Sequence, residues 1–168
     1  MWLTLIAIMI IIALWVNSAQ HRLALIDENI INAMNQIGVH LSSRFDELIV
    51  LLYLIKSHAE DEIESLIETV KSNRKVITAI STPDDVHSQQ KIISKALSGI
   101  FIVVKRHPEL NSNQKYIDTM NLVDIYDNMV CTCRLIYNHN VTKLNREIRI
   151  FPVSLLAGIL GYSQKQYF

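Results

Sequence analysis

Residues that interrupt helices are scarce in this 168-residue chain, which has only 4 glycines and 3 prolines. This scarcity favours long helices over a sheet with many turns. The two cysteines, Cys131 and Cys133, stand two positions apart in a helical pattern, where side chains point about 200° apart, so they neither bridge each other nor share a metal ion. We interpret both as small core or boundary residues. The lack of a disulfide framework fits a reducing compartment.

Neither sign of charge is in excess, because 16 Lys and Arg residues balance 16 Asp and Glu residues. We therefore expect no nucleic-acid partner, since such proteins carry a clear basic surplus. Aromatic residues make up only 7% of the chain, which gives no surface for base stacking. The length leaves room for an anchor and one domain of about 150 residues.

Catalytic motifs are also absent from the sequence, which has no H-E-x-x-H, C-x-x-C, G-x-S-x-G or glycine-rich phosphate loop. The six histidines are scattered, and no pair has the spacing of metal ligands on a helix. The acidic run from Glu60 to Glu64 is explained more simply as a solvated helix start than as a cation site. We predict no catalytic residue, no metal, no cofactor and no enzymatic activity.

What the sequence does contain is an apolar run, Met1–Val16, in which Thr4 is the only polar side chain. As a helix it spans about 24 Å, or about 28 Å through Ala19, close to the hydrocarbon thickness of a thin bilayer. Trp2 and Trp15 stand where interfacial aromatics occur. We predict a transmembrane anchor over residues 1–19. A buried helix and a cleaved signal peptide are the alternatives, and the lack of a basic residue before the run disfavours the second.

The orientation of this anchor rests on one residue. No Lys or Arg precedes the run, and Arg22 follows it. The positive-inside rule then leaves the N-terminus outside and the rest of the chain in the cytoplasm.

Beyond the anchor, apolar residues recur at helical spacing without a break between Val16 and Leu23. The anchor should therefore continue directly into the first of four amphipathic helices, which we place at about residues 20–56, 57–80, 83–106 and 112–150. Residues 151–168 are expected to form a short segment that docks on the bundle or on the membrane surface. We predict an all-α fold, with an N-terminal single transmembrane helix that continues into an elongated antiparallel up-and-down four-helix bundle.

Capping signals support three of these boundaries. Ser57 begins an S-x-x-E capping box, and Thr82 precedes a proline that suits the first helical position. Asn111 or Ser112 can cap the fourth helix.

Several polar residues lie near the apolar stripe of the fourth helix or opposite it. The candidate structural or partner-binding residues are Asp46, Asn128, Arg134, Tyr137, Asn138 and Asn145. Amides at such positions usually fix register or pair with a neighbouring helix. Arg134 can pair with Asp46 or Asp127 to hold two helices in one alignment. The alternative is a groove for a ligand or partner.

The same helix carries a resemblance to a known family. Residues 127–145 resemble the pattern E-N-x-I-x-x-A-R-x-x-Y-N-x-x-V-x-x-x-N of LemA family proteins. The matching positions are Asp127-Asn128, Val130, Cys133-Arg134, Tyr137-Asn138, Val141 and Asn145. Phe151-Pro152, Leu156-Ala157 and Tyr167-Phe168 are similar to the family's F-P…A…YF ending, and Arg44-Phe45-Asp46 to its R-R-Y-D segment. The family's I-P-N-L segment, however, is Leu48-Ile49-Val50-Leu51 here.

The resemblance implies a bacterial single-pass membrane protein with a long helical bundle, and it carries no catalytic residue with it. We therefore expect a non-enzymatic scaffold or partner-binding protein in the inner membrane. Its partners would be the lipid bilayer and either another protein or a second copy of the chain. The alternatives are an enzyme or enzyme accessory that acts on membrane components through the polar patch of the last long helix, and a simple spacer.

Overall fold

The computed structural model describes residues 2–168, so residue 1 of the predicted anchor lies outside the described residues. Within that range the chain forms five α-helices and no strand. The helices are α1 Trp2–Ile55, α2 Glu60–Asn73, α3 Pro83–Arg106, α4 Gln114–Glu147 and α5 Val153–Ile159. Two short 3-10 turns, Lys56–His58 and Pro108–Ser112, precede α2 and α4. The prediction of an all-α chain is confirmed.

Helix α1 is a single helix of 54 residues, without the break that glycine or proline would introduce near the end of the apolar run. Side chains of its first part are exposed all round, including Leu3 (82%) and Met9 (71%). Its most apolar window has a mean hydropathy of 2.1 and is only 6% buried. By length and composition this helix can cross a membrane. From Ala19 onward one stripe of α1 is buried instead.

The chain forms two compact units. The terminal unit comprises residues 2–33 and 135–168, and the middle unit comprises residues 34–134. Each unit has its own core. Buried apolar residues of the terminal unit include Ala19, Leu23, Ile30, Val141, Leu144, Val153 and Ala157. Those of the middle unit include Ile37, Phe45, Leu52, Ile63, Ile67, Val86, Ile93, Ile100, Val123 and Val130.

In the middle unit, α1 and α4 run antiparallel. The Cys133 thiol lies 3.7 Å from Oε1 of Gln36. Further along α1, Arg44 pairs with Asp127, which comes earlier in α4. Helices α2 and α3 are also antiparallel neighbours, because Arg106 in the last turn of α3 donates to a carboxylate in the first turn of α2 at 2.9 Å.

The second helix is shorter than the predicted 57–80. The capping box expected at Ser57 does not form, because Lys56–His58 adopt a 3-10 turn and Ala59 occupies the position before α2. The helix ends at Asn73, and an irregular segment leads to α3. Ile80, the last residue of the predicted range, is 93% exposed.

The irregular segment after α2 approaches α1 closely. The backbone of Ile77 packs so tightly on Gly38 of α1 that a Cβ at Gly38 would overlap the Ile77 carbonyl oxygen. The Ile77 side chain is buried there. The contact depends on Gly38, which is distant in the sequence, and local periodicity does not reveal it.

The third helix begins and ends where predicted, at 83 and 106. Thr82 accepts from the Asp85 backbone N–H at 3.2 Å, and the Asp85 carboxylate accepts from the Thr82 N–H at 2.8 Å. This reciprocal capping box satisfies two backbone donors at the helix start. Helix α4 is capped by Asn113, not by Asn111 or Ser112, because residues 108–112 form a 3-10 turn.

Candidate functional site

The six polar residues singled out in the sequence are divided between the two units. The terminal unit contains Tyr137, Asn138 and Asn145. The middle unit contains Asp46, Asn128 and Arg134. The two groups are therefore described separately.

Asn145 binds the backbone of a residue near the end of the described chain. Its Oδ1 accepts from the N–H of Lys165 at 2.9 Å, and its Nδ2 donates to the carbonyl of the same residue at 2.9 Å. One amide side chain thus satisfies both backbone groups of one extended residue, as a neighbouring β-strand would. Asn145 is buried, so this pairing also satisfies a polar group that water does not reach freely.

Asn138 and Tyr137 hold the same segment further along. The backbone N–H of Phe168 donates to Oδ1 of Asn138 at 2.9 Å. The Tyr137 hydroxyl donates to the carbonyl of Gln166 at 3.2 Å. The Tyr137 and Phe168 rings meet edge to face, with centroids 5.0 Å apart. We call Tyr137, Asn138 and Asn145 the tail clamp, and residues 162–168 the tail.

The side chains of the tail clamp are suited to binding the backbone of the tail and not to acid-base chemistry. Amide side chains do not exchange protons near neutral pH, and here they are bonded to main-chain atoms. Burial raises the pKa of Tyr137, which keeps its phenol protonated as a hydrogen-bond donor. The geometry therefore gives these three residues a structural task, and binding of a separate partner by them stays a prediction.

A groove open to solvent lies beside the tail. Its volume is about 670 Å³. It is lined mainly by Arg146, Arg149, Lys165, Thr142, Tyr167 and Ile150. Three of these side chains are basic, and we call this site the basic groove.

The cations of the basic groove are only partly compensated. Arg149 donates to the neutral amide of Gln164 at 2.8 Å. Lys165 pairs with Asp27 of α1. Hydrogen bonds with Thr142 and Asn145 lower the pKa of the Tyr167 phenol. The groove thus combines guanidinium groups and hydroxyls, which are the donors that bind phosphate and carboxylate oxygens.

In the middle unit, a buried arginine pairs α1 with α4. Arg44 is 8% exposed in its side chain and contacts Oδ1 of Asp127 at 2.5 Å. Burial lowers the pKa of Arg44, and the charges of Asp127 and Asp124 oppose that shift. The pair fixes the register of the two helices, because a buried guanidinium without its carboxylate is strongly unfavourable.

Asp46 is held by a residue that sequence reasoning missed. Arg74 donates to Oδ1 of Asp46 at 2.6 Å and to the Ser42 hydroxyl at 2.6 Å. Arg74 follows α2 directly, so it ties the irregular segment to α1. The two acids that we considered as partners of Arg134 are therefore engaged by Arg44 and Arg74.

Arg134 itself donates to Oε1 of Gln90 on α3 at 3.3 Å. It borders a second open groove of about 470 Å³, which Arg44, His87, Lys91 and Asp127 also line. Asn128 is exposed on α4, and its backbone carbonyl accepts from the Thr132 hydroxyl.

Metal ligands do not gather in the part of the chain that the structure describes. No three His, Cys, Asp or Glu side chains among residues 2–168 come together in a way that holds a metal ion. The exposed Cys131 and the buried Cys133 are both free thiols. Burial raises the pKa of Cys133 and so keeps it a thiol.

The fold defines a helical protein whose first helix is long and apolar enough to associate with a membrane. A model of the LemA family matches residues 33–168, which is most of the chain. The chain therefore belongs to the LemA family, as the pattern on α4 indicated. The matched range begins after the apolar run, so the run itself is not part of the match. No curated protein matches the chain.

Proposed function

We propose that this protein is a non-enzymatic, membrane-anchored scaffold or partner-binding protein of the bacterial cell envelope. It spans the inner membrane once, with the N-terminus outside and the helices after the span in the cytoplasm. The observation that supports the proposal is the apolar first part of α1, which is exposed around its whole circumference.

Such a surface needs a non-aqueous environment. Nine Leu, Ile and Val side chains lie between Leu3 and Val16. On the scale of helix insertion into a bilayer they contribute about −3 to −5 kcal/mol together. A soluble helix with apolar residues on all sides would have to be covered by other parts of the protein. The low burial of this segment is what a lipid-facing helix has.

For the helices after the span, we infer an antiparallel up-and-down four-helix bundle formed by α1 to α4. Its support is the antiparallel pairing of α1 with α4 and of α2 with α3 in the middle unit. A third pair agrees with it, since Lys71 of α2 donates to the Tyr53 hydroxyl of α1 at 2.8 Å. Helices joined by short connections usually pack in this way.

The scaffold role rests on how the polar groups are used. The tail clamp is bonded to the chain's own backbone, and the ion pairs of the middle unit join its helices to each other. The balanced charge argues for protein and lipid partners and against nucleic acid. Crosslinking in native membranes should trap a stoichiometric protein partner or a homo-oligomer. A chain that remains monomeric and unlinked would contradict the scaffold role.

Membrane insertion is tested by alkaline carbonate extraction of cell membranes. The variant Ile10→Lys/Ile11→Lys places two charges in the proposed span, and each costs about 2.5 to 3.5 kcal/mol near the centre. We expect this variant to be released into the soluble fraction while the wild type stays in the pellet. Ile80→Lys is the matched control, because Ile80 is exposed outside the span. Release of the wild type by carbonate would refute an integral anchor.

The side of the membrane is a separate question. Protease added to intact spheroplasts should leave the helices after the span uncut, and lysis should expose them. Digestion before lysis would indicate the opposite orientation, with these helices outside the cytoplasm.

One observation favours the alternative, an enzyme or enzyme accessory acting on membrane components. Arg134 borders the open groove of the middle unit, where His87 and Lys91 also lie. If that groove acts on a substrate, Arg134→Gln should abolish the cellular phenotype without lowering the thermal midpoint. If Arg134→Gln lowers the thermal midpoint and leaves the cellular phenotype unchanged, Arg134 has a structural role.

A further inference from the structure

Helix α5 carries apolar residues on two opposite faces. Val153 and Ala157 are buried in the terminal unit. On the other side, Phe151 just before the helix (76%), Leu155 (65%) and Ile159 (83%) are exposed. Leu155 and Ile159 lie four positions apart on one side of α5, and Phe151 is exposed in the turn before it; we call these three residues the stripe. A contiguous exposed apolar stripe marks a contact surface for a lipid bilayer or a protein.

Within the terminal unit, the end of α4 lies beside α1 just after the apolar run. Arg22 of α1 faces Glu147 at the end of α4 at 3.9 Å. The chain past Glu147 therefore continues toward Ala19, which is 1% exposed although the α1 residues before it are open to solvent. The residues of this unit that come next are the turn into α5 and α5 itself. Helix α5 thus follows in the chain directly after the end of α4 that pairs with α1 three residues past Ala19.

The basic groove lies next to this stripe. Ile150, which directly precedes Phe151, lines the groove together with Arg146 and Arg149. The groove therefore joins an apolar surface to guanidinium groups within a few residues. An anionic phospholipid has the same two parts, since its phosphate accepts hydrogen bonds from guanidinium groups and its acyl chains are apolar.

We propose that α5 is a second membrane contact of this protein, distinct from the transmembrane span. Phe151, Leu155 and Ile159 enter the interface of the bilayer, and the basic groove binds the phosphate of an anionic phospholipid in the same leaflet. The proposal rests on the membrane insertion of α1 proposed above. Amphipathic helices that lie in the plane of a membrane bury their apolar side about 5 to 10 Å into this boundary.

The contact is tested with the full-length chain reconstituted in lipid vesicles. Cys131 and Cys133 are replaced by serine and alanine, and a single cysteine at position 155 or 159 carries a polarity-sensitive fluorophore. Spin-labelled lipids then quench any fluorophore that enters the bilayer. The same label at position 5 reports insertion of the span. A label at Val76, an exposed residue of the middle unit, gives the signal of a side chain in water.

We expect quenching at positions 155 and 159 comparable to that at position 5, with a blue-shifted emission. Signals at 155 and 159 equal to that at Val76, with position 5 quenched, would overturn the α5 contact and leave the proposed anchor intact. An unquenched position 5 would refute the anchor, and the α5 contact would fall with it. Crosslinking between copies through position 155 without lipid quenching would assign the stripe to a second chain and overturn the lipid contact.

The basic groove is tested by comparing spin-labelled phosphatidylglycerol with spin-labelled phosphatidylcholine as quenchers of the label at position 155. A basic side chain near an anionic surface changes local lipid preference by about fivefold. Arg146→Gln/Arg149→Gln should therefore lose most of the preference for phosphatidylglycerol. The double lysine variant at the same positions should retain it, because the charge remains. Lys143→Gln is the matched control, since it removes one charge from α4 outside the groove.

A preference that survives Arg146→Gln/Arg149→Gln would refute the headgroup site. If inorganic phosphate at constant ionic strength abolishes the preference, the groove binds a soluble anion and the assignment to lipid is wrong. A preference that resists phosphate but disappears in the double glutamine variant supports the proposal.

Discussion

Replacing Asn145 by alanine removes both hydrogen bonds that hold the backbone of Lys165 against α4. Each neutral hydrogen bond contributes about 0.5 to 1.5 kcal/mol net. Because Lys165 is only half-buried, water replaces part of what is lost. We expect the free energy of local opening of the tail to fall by about 2 kcal/mol, which corresponds to an increase of about 30-fold in the open population.

Amide hydrogen exchange measures this opening directly, because exchange rates follow the population of locally opened states. The measurement is made on the full chain in lipid nanodiscs and read from peptides that cover the tail. Asn145→Ala should exchange faster across residues 164–168, while α2 and α3 remain unchanged. Asn145→Asp keeps the acceptor for the Lys165 N–H but sets a second acceptor against the Lys165 carbonyl, so it should not restore the exchange of the wild type.

The matched control is Asn128→Ala, which removes an exposed amide from the same helix. Surface substitutions of this kind usually change stability by less than about 0.5 kcal/mol. Tail exchange in Asn145→Ala that equals that of Asn128→Ala would refute the reasoning, because the two hydrogen bonds would then contribute nothing to the position of the tail.

Three further predictions concern other parts of the chain. Gly38→Ala should lower the free energy of unfolding by about 1 kcal/mol in denaturant titration, because overlap with the segment after α2 outweighs the gain in helix propensity. Gly158→Ala is the control and should be neutral or stabilising, because an added Cβ meets no neighbour there. A larger loss of stability for Gly158→Ala than for Gly38→Ala would contradict the close approach. With a maleimide, Cys131 should react rapidly and Cys133 slowly, because burial raises the pKa of the second thiol; equal rates would exclude its burial. Hydrogen bonds with Thr82 lower the pKa of Asp85 in the folded protein below its pKa in the unfolded chain. The stabilisation by the Asp85 carboxylate is therefore complete above the unfolded pKa and is lost as the pH falls through the folded pKa. In acid titration followed by circular dichroism, Asp85→Asn should remove this part of the pH dependence, and an unchanged acid profile would contradict it.

The capping signals of the sequence predicted one helix start correctly, that of α3, and two incorrectly, those of α2 and α4. The start of α3 follows from the threonine and proline at Thr82-Pro83, which act on their own neighbours, and the structure places the helix there. The end of α2 was missed, and the segment after Asn73 packs on Gly38, a contact between residues distant in sequence. Hydrophobic periodicity reports which residues suit a helix, and it does not report where another backbone packs against it.

The candidate site shows the same limit. The amides of α4 were recognised as residues that pair with something, but their partner, the backbone of the tail, lies about twenty to thirty residues further on and has no sequence signature. Arg74 was overlooked for a related reason. Which of several exposed acids an arginine selects is decided by packing, and here it selects Asp46. The basic groove exists only because the tail brings Lys165 back beside Arg149.

The tail clamp has a consequence for tolerance to mutation. Its hydrogen bonds reach backbone atoms of residues 165, 166 and 168, which every amino acid other than proline supplies equally. These bonds therefore do not depend on which side chains the tail carries, and the side chains of Lys165 and Phe168 add contacts of their own. Substitutions at an exposed tail position such as Ser163 should accumulate freely, and proline at 165 or 168, which deletes a bonded N–H, should not. A labelling site can be introduced at Ser163 without loosening the end of the fold.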